Sequence, residues 1–245
     1  MRLHIPLDIG PPGPVLSRTV IMASSPFQDF GSNSVAIVGS GLVGCLLGVY
    51  LRKHGFSVHF FEARADPRKG MEVGRSINLV LTSRGIHALT SVSEDIAAKV
   101  MAVTTRVEGR TLHNPSGVVY QPYGPDPTYC NFSVSLWELN CVLMTAAEEA
   151  GCSFAFNHPL AHVDIPNSTL YFYLSAAGQL YQKSVKVSHI FGADGGGSRC
   201  RQALKGFLRD QSQDVGLPLG YGYKELRMPA LPNGGYPVLL GVSGI

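Results

Sequence analysis

Four apolar residues run directly into three glycines in the stretch VAIVGSGLVG. Gly39, Gly41 and Gly44 have the G-x-G-x-x-G spacing of dinucleotide-binding turns. In such a turn the first glycine permits the tight bend, the second lets the backbone approach a pyrophosphate, and the third lets a helix pack closely on its strand. The helix N-terminus then faces the phosphate charge, so that Leu42 and Val43, which begin the helix, are expected to belong to the binding site.

The glycines lie within a complete β-α-β pattern, which is the context that gives this motif its meaning. The sequence predicts a strand at 34–38, a helix at 42–54 and a second strand at 57–61. The second strand ends at Glu62, 23 residues after Gly39. A carboxylate there can accept hydrogen bonds from both ribose hydroxyls, and it would repel a 2′-phosphate. NADP is therefore disfavoured at this turn, whereas FAD and NAD both fit the residues.

Composition restricts the classes of protein to be considered. The chain has 245 residues, of which 45% are hydrophobic and 15% charged, and this favours a folded protein with one large core or two smaller ones. A net charge of +3 is too small to indicate a nucleic-acid partner. The five cysteines are odd in number and include no C-x-x-C pair. We therefore expect neither a metal site nor a disulfide framework, and a reducing compartment is favoured.

Downstream of the β-α-β unit the sequence predicts further helices and strands. Ser135 and Glu138 have the S-x-x-E spacing of a capping box at the start of one helix. Helices are predicted at 83–92, 94–101 and 136–150, and strands at 103–113, 152–156, 160–165, 170–174, 180–183 and 185–191. The four short strands between 152 and 183 are separated by turn residues, and we interpret them as an inserted antiparallel meander at about 158–184.

A second glycine-rich stretch, GADGGGSRCR, follows the last predicted strand. Asp194 and Gly195 stand at its turn, and Ser198 and Arg201 begin another helix. Judged alone, the stretch is equally typical of a glycine-rich surface loop. In a chain that already has the first motif, it resembles the Asp-Gly fingerprint of flavin-dependent aromatic hydroxylases, which serves FAD and NADPH. The resemblance favours FAD over NAD as the bound dinucleotide.

Other segments narrow this resemblance. In chain order they are VGRSINLVLTSRG (73–85), RTLHNPSG (110–117), PYG (122–124), SLWELN (135–140) and GYKEL (222–226). Together they resemble the kynurenine 3-monooxygenase family, and the likeness covers residues 34 to about 230. It implies an α/β fold: a Rossmann-like FAD-binding domain of the glutathione-reductase type, with an inserted substrate-binding β-sheet.

The resemblance also implies a reaction. NADPH reduces the bound FAD, and the reduced flavin uses O2 to hydroxylate L-kynurenine to 3-hydroxykynurenine, a step of tryptophan catabolism towards NAD biosynthesis. The flavin carries this chemistry, so no catalytic side chain is expected. The family is found on the cytosolic face of the mitochondrial outer membrane and associates with it through a C-terminal region. We expect this chain alone to be cytoplasmic.

Particular residues match the functional positions of that family. Arg110 and Tyr123 match the residues that hold the carboxylate of the substrate, and a guanidinium can bind a carboxylate through two parallel hydrogen bonds. Arg64 would lie near the adenosine end of FAD, although a solvated loop charge is an equally good interpretation. Three further residues are expected to line the flavin: Ser76, Asn78 and Leu79.

The sequence departs from the family pattern in two places. Leu136 stands where the superfamily usually has an arginine that contacts the cofactor, and this should weaken FAD binding. The chain also ends at Ile245, within the expected substrate sheet. We therefore expect an N-terminal portion of such an enzyme, with a disordered leader (1–33), the first part of the FAD domain (34–205) and the start of the substrate sheet (206–245). Hydroxylation is expected to require the longer product.

Two other functions compete with the monooxygenase interpretation. The first is an NAD-dependent oxidoreductase, which a catalytic Tyr-x-x-x-Lys would support, but the sequence has none. The second is a truncated, non-catalytic isoform that binds FAD or a protein partner.

Overall fold

A computed structural model describes residues 27–70, 77–176, 178–209, 215–217, 219–220 and 232. The first 26 residues of the predicted leader, Ser76 and the GYKEL segment lie outside the described residues, as does most of the predicted substrate-sheet start at 206–245. Among the described residues, no helix combines the length and the apolar character needed to cross a lipid bilayer.

The described residues form thirteen strands and five α-helices. The strands are β1 (Gln28–Asp29), β2 (Ser34–Val38), β3 (Ser57–Phe61), β4 (Asn78–Leu81), β5 (Thr105–Val107), β6 (Gly109–Asn114), β7 (Gly117–Pro122), β8 (Asn131–Ser135), β9 (Ser153–Ala155), β10 (Leu160–Asp164), β11 (Thr169–Ala176), β12 (Gln179–Lys186) and β13 (His189–Gly192). The helices are α1 (Leu42–Lys53), α2 (Ser83–Val92), α3 (Glu94–Met101), α4 (Leu136–Glu149) and α5 (Arg199–Leu208).

A parallel sheet with the strand order β13-β2-β3-β9 forms the centre of the fold. All five residues of β2 are buried, as expected for a parallel strand that is covered on both faces. Ile37 and Phe60 face a core shared with α1 and α4, whereas Val38 and Phe61 face a second core shared with the meander. The sheet is therefore the middle of three layers, and the predicted α/β fold class is confirmed.

The other strands form three smaller sheets. Strands β10, β11 and β12 are the antiparallel meander, and the short β1 pairs in parallel with β12 at its edge. Strands β4, β8 and β5 form an antiparallel sheet, and β6 and β7 form a separate hairpin. The hairpin residues whose burial the structure describes are exposed, apart from the partly buried Gly109. The meander thus covers one face of the parallel sheet, while the hairpin extends into solvent.

Three predicted strands differ from the structure in their pairing or their continuity. The strand predicted at 152–156 was assigned to the meander, but β9 pairs in parallel with β3, because the buried ring of Phe60 stacks on Phe154 at 4.4 Å. The strand predicted at 185–191 is interrupted at 187–188, so that Val185 belongs to β12 and the parallel strand begins at His189. The strand predicted at 103–113 is divided at Glu108 into β5 and β6.

Arg68 anchors the loop that follows β3. Its guanidinium is within 2.9 Å of Asp66 and 2.8 Å of Glu148 on α4, and it lies 5.9 Å from the ring centres of Phe154 and Phe156. The hydrogen bond from Arg68 lowers the pKa of Asp66 against the opposing effect of burial. The loop is therefore fixed to both the sheet and the helical layer.

Gly48 allows α1 to approach the sheet closely. A Cβ atom at this position would stand 2.5 Å from the buried ring of Phe60, which is itself stacked on Phe154 and has little room to move. We expect Gly48→Ala to lower the free energy of unfolding by about 1–3 kcal/mol because of overpacking. Urea denaturation followed by circular dichroism would measure the change.

Gly206→Ala on α5 is a matched control, since a Cβ atom there has no described heavy atom within 4 Å. This substitution should be neutral, or stabilising by up to about 1 kcal/mol through helix propensity. Equal stability of the two variants would contradict the close packing of α1 on Phe60.

Candidate functional site

The two glycine-rich motifs meet at the carboxyl ends of β2 and β13. Gly39 has a φ of 96°, and a Cβ atom there would lie 2.4 Å from the carbonyl oxygen of Ala193. The Ala193 N–H donates to the Val38 carbonyl at 2.8 Å, and the Gly39 N–H donates to the Phe61 carbonyl at 2.9 Å. The first glycine is therefore required both by its left-handed backbone and by the close passage of the second motif.

Gly41 and the start of α1 provide a site for an anion. Gly41 precedes the helix with a φ of −72°, and no described heavy atom lies within 4 Å of the position its Cβ would take. The first turn contains no acidic residue, and Val43 within it is 75% exposed. The first N–H groups of a helix lack intrahelical acceptors and carry partial positive charge. They can therefore bind a pyrophosphate that approaches over Gly41.

Gly44 brings this helix start against the turn. A Cβ atom at Gly44 would stand 2.3 Å from the carbonyl oxygen of Gly39. No side chain larger than hydrogen fits there unless the backbone moves, so the third glycine has the packing role that its spacing predicts.

Glu62 is a buried carboxylate at the centre of the site, with 5% of its surface exposed. One oxygen, Oε2, accepts from the N–H of Ser40 at 2.9 Å and from its hydroxyl at 3.0 Å. The other, Oε1, accepts from the N–H of Arg64 at 3.0 Å and from its Nε at 2.9 Å. Burial alone would raise the pKa of Glu62, but the hydrogen bonds from Arg64 and Ser40 outweigh it and lower the pKa. Glu62 is therefore ionised at neutral pH.

Asp194 organises the second motif. One carboxylate oxygen accepts from the Ser198 hydroxyl at 2.6 Å, and the other accepts from the backbone N–H groups of Arg199 at 2.6 Å and Cys200 at 3.1 Å. Gly195 takes a φ of 77° in the turn between them. The carboxylate of Asp194 thus holds the N-terminus of α5 and also borders the cleft described next.

A cleft of about 550 Å³ joins both motifs to Glu62. Its lining includes Gly39, Gly41, Glu62, Arg64, His158, Pro159, Leu160, Asp194, Gly195 and Arg199. Cavities of this size accommodate small-molecule ligands. Glycine backbone, a helix start and a buried acid at one end of a parallel sheet fit the phosphates and the ribose of a dinucleotide.

His158 is a cleft residue that the sequence did not indicate. Its backbone N–H donates to the Glu62 backbone carbonyl at 2.8 Å, and its ring atom Nε2 lies 3.4 Å from the Lys183 ammonium. Burial lowers the pKa of His158, the bond to the Phe156 carbonyl opposes this, and the Lys183 charge lowers the pKa further. The ring is therefore neutral at neutral pH. Assignment of β9 to the parallel sheet would have indicated this residue, because ligands bind beyond the carboxyl ends of such strands.

Two cysteines that bond to residues of the glycine motifs, Cys45 to Ser40 and Cys200 to Asp194, are held as thiols. Burial, with smaller effects of Cys152 and Glu62, raises the pKa of Cys45 to about 12. Burial and the neighbouring Asp194 raise the pKa of Cys200 to about 12 as well. Since the thiolate is the reactive form of cysteine, these side chains are poor nucleophiles.

The residues that line the cleft do not include Asn78, Leu79 or Leu136. Asn78 and Leu79 are on β4, where they pair with Ser135 and Val134 of β8, and Leu79 packs against the first core. The Leu136 N–H donates to the Ile77 carbonyl at 3.0 Å.

Arg110 and Tyr123 share one face of the hairpin. Arg110 pairs with Gln121 across the strands, and the Tyr123 N–H donates to the Glu108 carbonyl at 2.9 Å, which continues the ladder by one step. Residues two apart on a strand point to the same side, so the two side chains are diagonal neighbours. Both are exposed, and Arg110 Nε donates to the Gln121 side chain at 2.9 Å.

This fold and cleft define a dinucleotide-binding α/β domain. The FAD binding domain family matches residues 32–217, which is most of the chain. The chain belongs to this family, and the predicted cofactor, FAD, is confirmed.

Curated relatives name an activity. The chain is 40% identical to kynurenine 3-monooxygenase of Myxococcus xanthus over 207 residues, and 37% identical to that of Flavobacterium psychrophilum over 206 residues. These matches cover 83% and 84% of this chain but only 43% and 44% of the relatives. The chain thus spans less than half the length of the proteins that it resembles.

Solved structures agree on the fold. The anhydrotetracycline hydroxylase OxyS of Streptomyces rimosus matches with a TM-score of 0.53 at 20% identity, covering 70% of this chain and 33% of that one. A tetrameric form of 2-methyl-3-hydroxypyridine-5-carboxylic acid oxygenase matches with a TM-score of 0.54 at 19% identity, covering 71% and 42%. At these identities the likeness concerns the fold alone.

The ionised state of Glu62 should make the stability of the protein depend on pH. Its pKa is lower in the folded chain than the ordinary value, so its contribution is present above about pH 4.3, the usual value for glutamate, and is lost as the pH falls through the folded pKa. In Glu62→Gln an amide N–H replaces one acceptor oxygen and meets other donors. We expect this substitution to lower the free energy of unfolding by about 2 kcal/mol at pH 7. The difference from wild type should become smaller towards acid pH.

Urea denaturation of both proteins between pH 7 and pH 3 would measure this difference. Glu149→Gln is the control, because Glu149 is an exposed partner of Lys99, and it should change stability by less than about 0.5 kcal/mol. A loss for Glu62→Gln that is the same at every pH would contradict the ionised state.

Proposed function

We propose that this chain carries the FAD-binding part of a monooxygenase that hydroxylates L-kynurenine to 3-hydroxykynurenine with NADPH and O2. One observation carries the proposal. The chain is 40% identical to a kynurenine 3-monooxygenase over 207 residues, and the match to the FAD binding domain family, at 32–217, contains both glycine motifs and the buried Glu62.

The residues of the cleft fit the adenosine and pyrophosphate parts of FAD. The N–H groups at the start of α1 would hold the pyrophosphate over Gly41, and Glu62 would accept from the ribose hydroxyls. His158 and Leu160 would form the wall beside the adenosine, and the exposed guanidinium of Arg64 would lie at its open side. When bound, FAD supplies hydride acceptance from NADPH and the activation of O2.

Arg110 and Tyr123 would hold the α-carboxylate of kynurenine. Their placement on one face of the hairpin supports the proposal, because a guanidinium and a phenol side by side can both donate to one carboxylate. We also propose that the full-length protein lies on the cytosolic face of the mitochondrial outer membrane. This part of the proposal rests on the resemblance to the family.

Gly41 allows a test of the cofactor site without disturbing the fold. A Cβ atom there has open space around it and the backbone is unstrained, but it would project where the pyrophosphate approaches. We expect Gly41→Ala to unfold like wild type, within about 0.5 kcal/mol. Its FAD dissociation constant, measured by calorimetry or by flavin fluorescence, should rise about tenfold or more.

Gly206→Ala is again the matched control, and it should bind FAD as wild type does. Unchanged FAD affinity in Gly41→Ala would show that the pyrophosphate does not pass over this residue. If wild type itself bound no FAD, the proposed function would be wrong.

Removal of the guanidinium in Arg110→Ala should weaken kynurenine binding about 10- to 100-fold, as expected for loss of hydrogen bonds between charged groups. Calorimetric titration of the FAD-loaded protein with kynurenine would measure it. Kynuramine, which lacks the α-carboxylate, should bind weakly and with equal affinity to wild type and to the variant.

Arg106→Ala is the control, since Arg106 is another exposed arginine, on the neighbouring β5, paired with Glu108 at 3.5 Å. It should bind kynurenine as wild type does. A normal affinity of Arg110→Ala for kynurenine would rule out the carboxylate role.

A further inference from the structure

Ser40 lies between the first two glycines of the motif and is completely buried. Its N–H and its hydroxyl reach the same atom, Glu62 Oε2, at 2.9 and 3.0 Å. The G-x-G-x-x-G spacing requires glycines on either side but no hydroxyl between them. The hydroxyl is therefore an addition to the motif in this chain, and it is directed at the acid of the next strand.

A serine at the start of a helix usually caps the helix, but Ser40 does not. Ser93, Ser135 and Ser198 stand at N-caps of this protein, and each accepts from a backbone N–H three residues later. Before α1 the N-cap is Gly41, which has no side chain. The Ser40 hydroxyl thus does not cap α1 and instead donates to Glu62.

The hydrogen bonds that Glu62 accepts are of two kinds: those from Ser40 are fixed, and the one from the Arg64 side chain can be exchanged for another donor. A carboxylate has about four acceptor positions, and the donors of Ser40 and Arg64 fill four. Withdrawal of the Ser40 hydroxyl would leave a buried polar group unpaired, which is costly. The Arg64 side chain is 77% exposed, so it can turn into solvent and leave its acceptor position on Oε1 to another donor.

We propose that Ser40 is a positioning residue, which holds Glu62 Oε2 from inside so that Oε1 is the oxygen the adenosine ribose takes over from the Arg64 side chain. The inference deepens the proposed function and rests on it, because it takes Glu62 as the ribose acceptor. Ser40 itself does not touch the dinucleotide. Its effect is to fix the direction in which the carboxylate faces the cleft.

The test compares FAD with analogues of FAD that lack the 2′- or the 3′-hydroxyl of the adenosine ribose. Wild type should bind at least one analogue about tenfold more weakly than FAD. Ser40→Ala should bind FAD several-fold more weakly than wild type does and should distinguish FAD from the analogues by less than about twofold. Arg64→Ala should retain the full discrimination, since its side chain leaves Oε1 when the ribose binds.

Ser34→Ala is the matched control. Ser34 is also a completely buried serine at the start of β2, but its hydroxyl donates to the Gly31 carbonyl and accepts from the Ser188 N–H. Its loss is expected to lower the melting temperature while the ratio of FAD to analogue affinity stays that of wild type.

A second measurement needs no cofactor. Carbon-13 NMR of glutamate carboxyl groups follows the titration of Glu62, whose charged and titratable neighbours are Arg64, Cys45, His158 and, across the cleft, Asp194 and Arg199. Loss of a hydrogen bond to the ionised form should move the Glu62 titration to higher pH in Ser40→Ala, and Ser34→Ala should leave it in place.

The outcomes separate the two proposals. If wild type binds no FAD, the proposed function is overturned, while the Glu62 titration still decides whether Ser40 positions the carboxylate. If wild type binds FAD and Ser40→Ala discriminates among the analogues as wild type does, Ser40 is not a positioning residue. The same conclusion follows if the Glu62 titration does not move.

Discussion

The close approach of Gly39 to the backbone of Ala193 and Asp194 is the contact on which the rest of the site depends. The carbonyl of Ala193 lies 2.4 Å from the position that a Cβ of Gly39 would occupy, so any other residue would separate the two glycine motifs. That separation would move β13 away from β2, and α5 would move with it. The cleft therefore depends on the absence of a side chain at Gly39, where the two glycine motifs pass each other.

The site also depends on the buried negative charge of Glu62. A lone carboxylate at this depth would be neutral or would destabilise the fold. The donors of Ser40 on one side and Arg64 on the other keep it ionised. The residue between the glycines and the loop after β3 therefore act together, although 24 residues separate them. Arg68 in turn fixes that loop to α4.

The sequence predicted the features that depend on local pattern and missed those that depend on distant partners. The strands at 34–38 and 57–61 and the helices at 83–92 and 94–101 agree with the structure to the residue, because their apolar periods and end signals lie within each segment. β9 was assigned to the wrong sheet, since three residues carry no signal for a parallel partner 94 positions away. The bond from Ser40 to Glu62 likewise joins residues 22 positions apart, and periodicity does not predict such a pair.

The pairing of β13 with β2 also has a consequence for biosynthesis. Ser34 and Ser188, which bracket the start of this pairing, are 154 residues apart, so most of the chain must leave the ribosome before the first motif gains its partner. Contacts of such long sequence separation form slowly. The β-α-β unit can fold early, but the nascent chain has no complete cleft until β13 and the start of α5 have emerged. The cofactor can therefore bind only late in synthesis. A product that stops before His189 would keep the first glycine motif and lack the cleft.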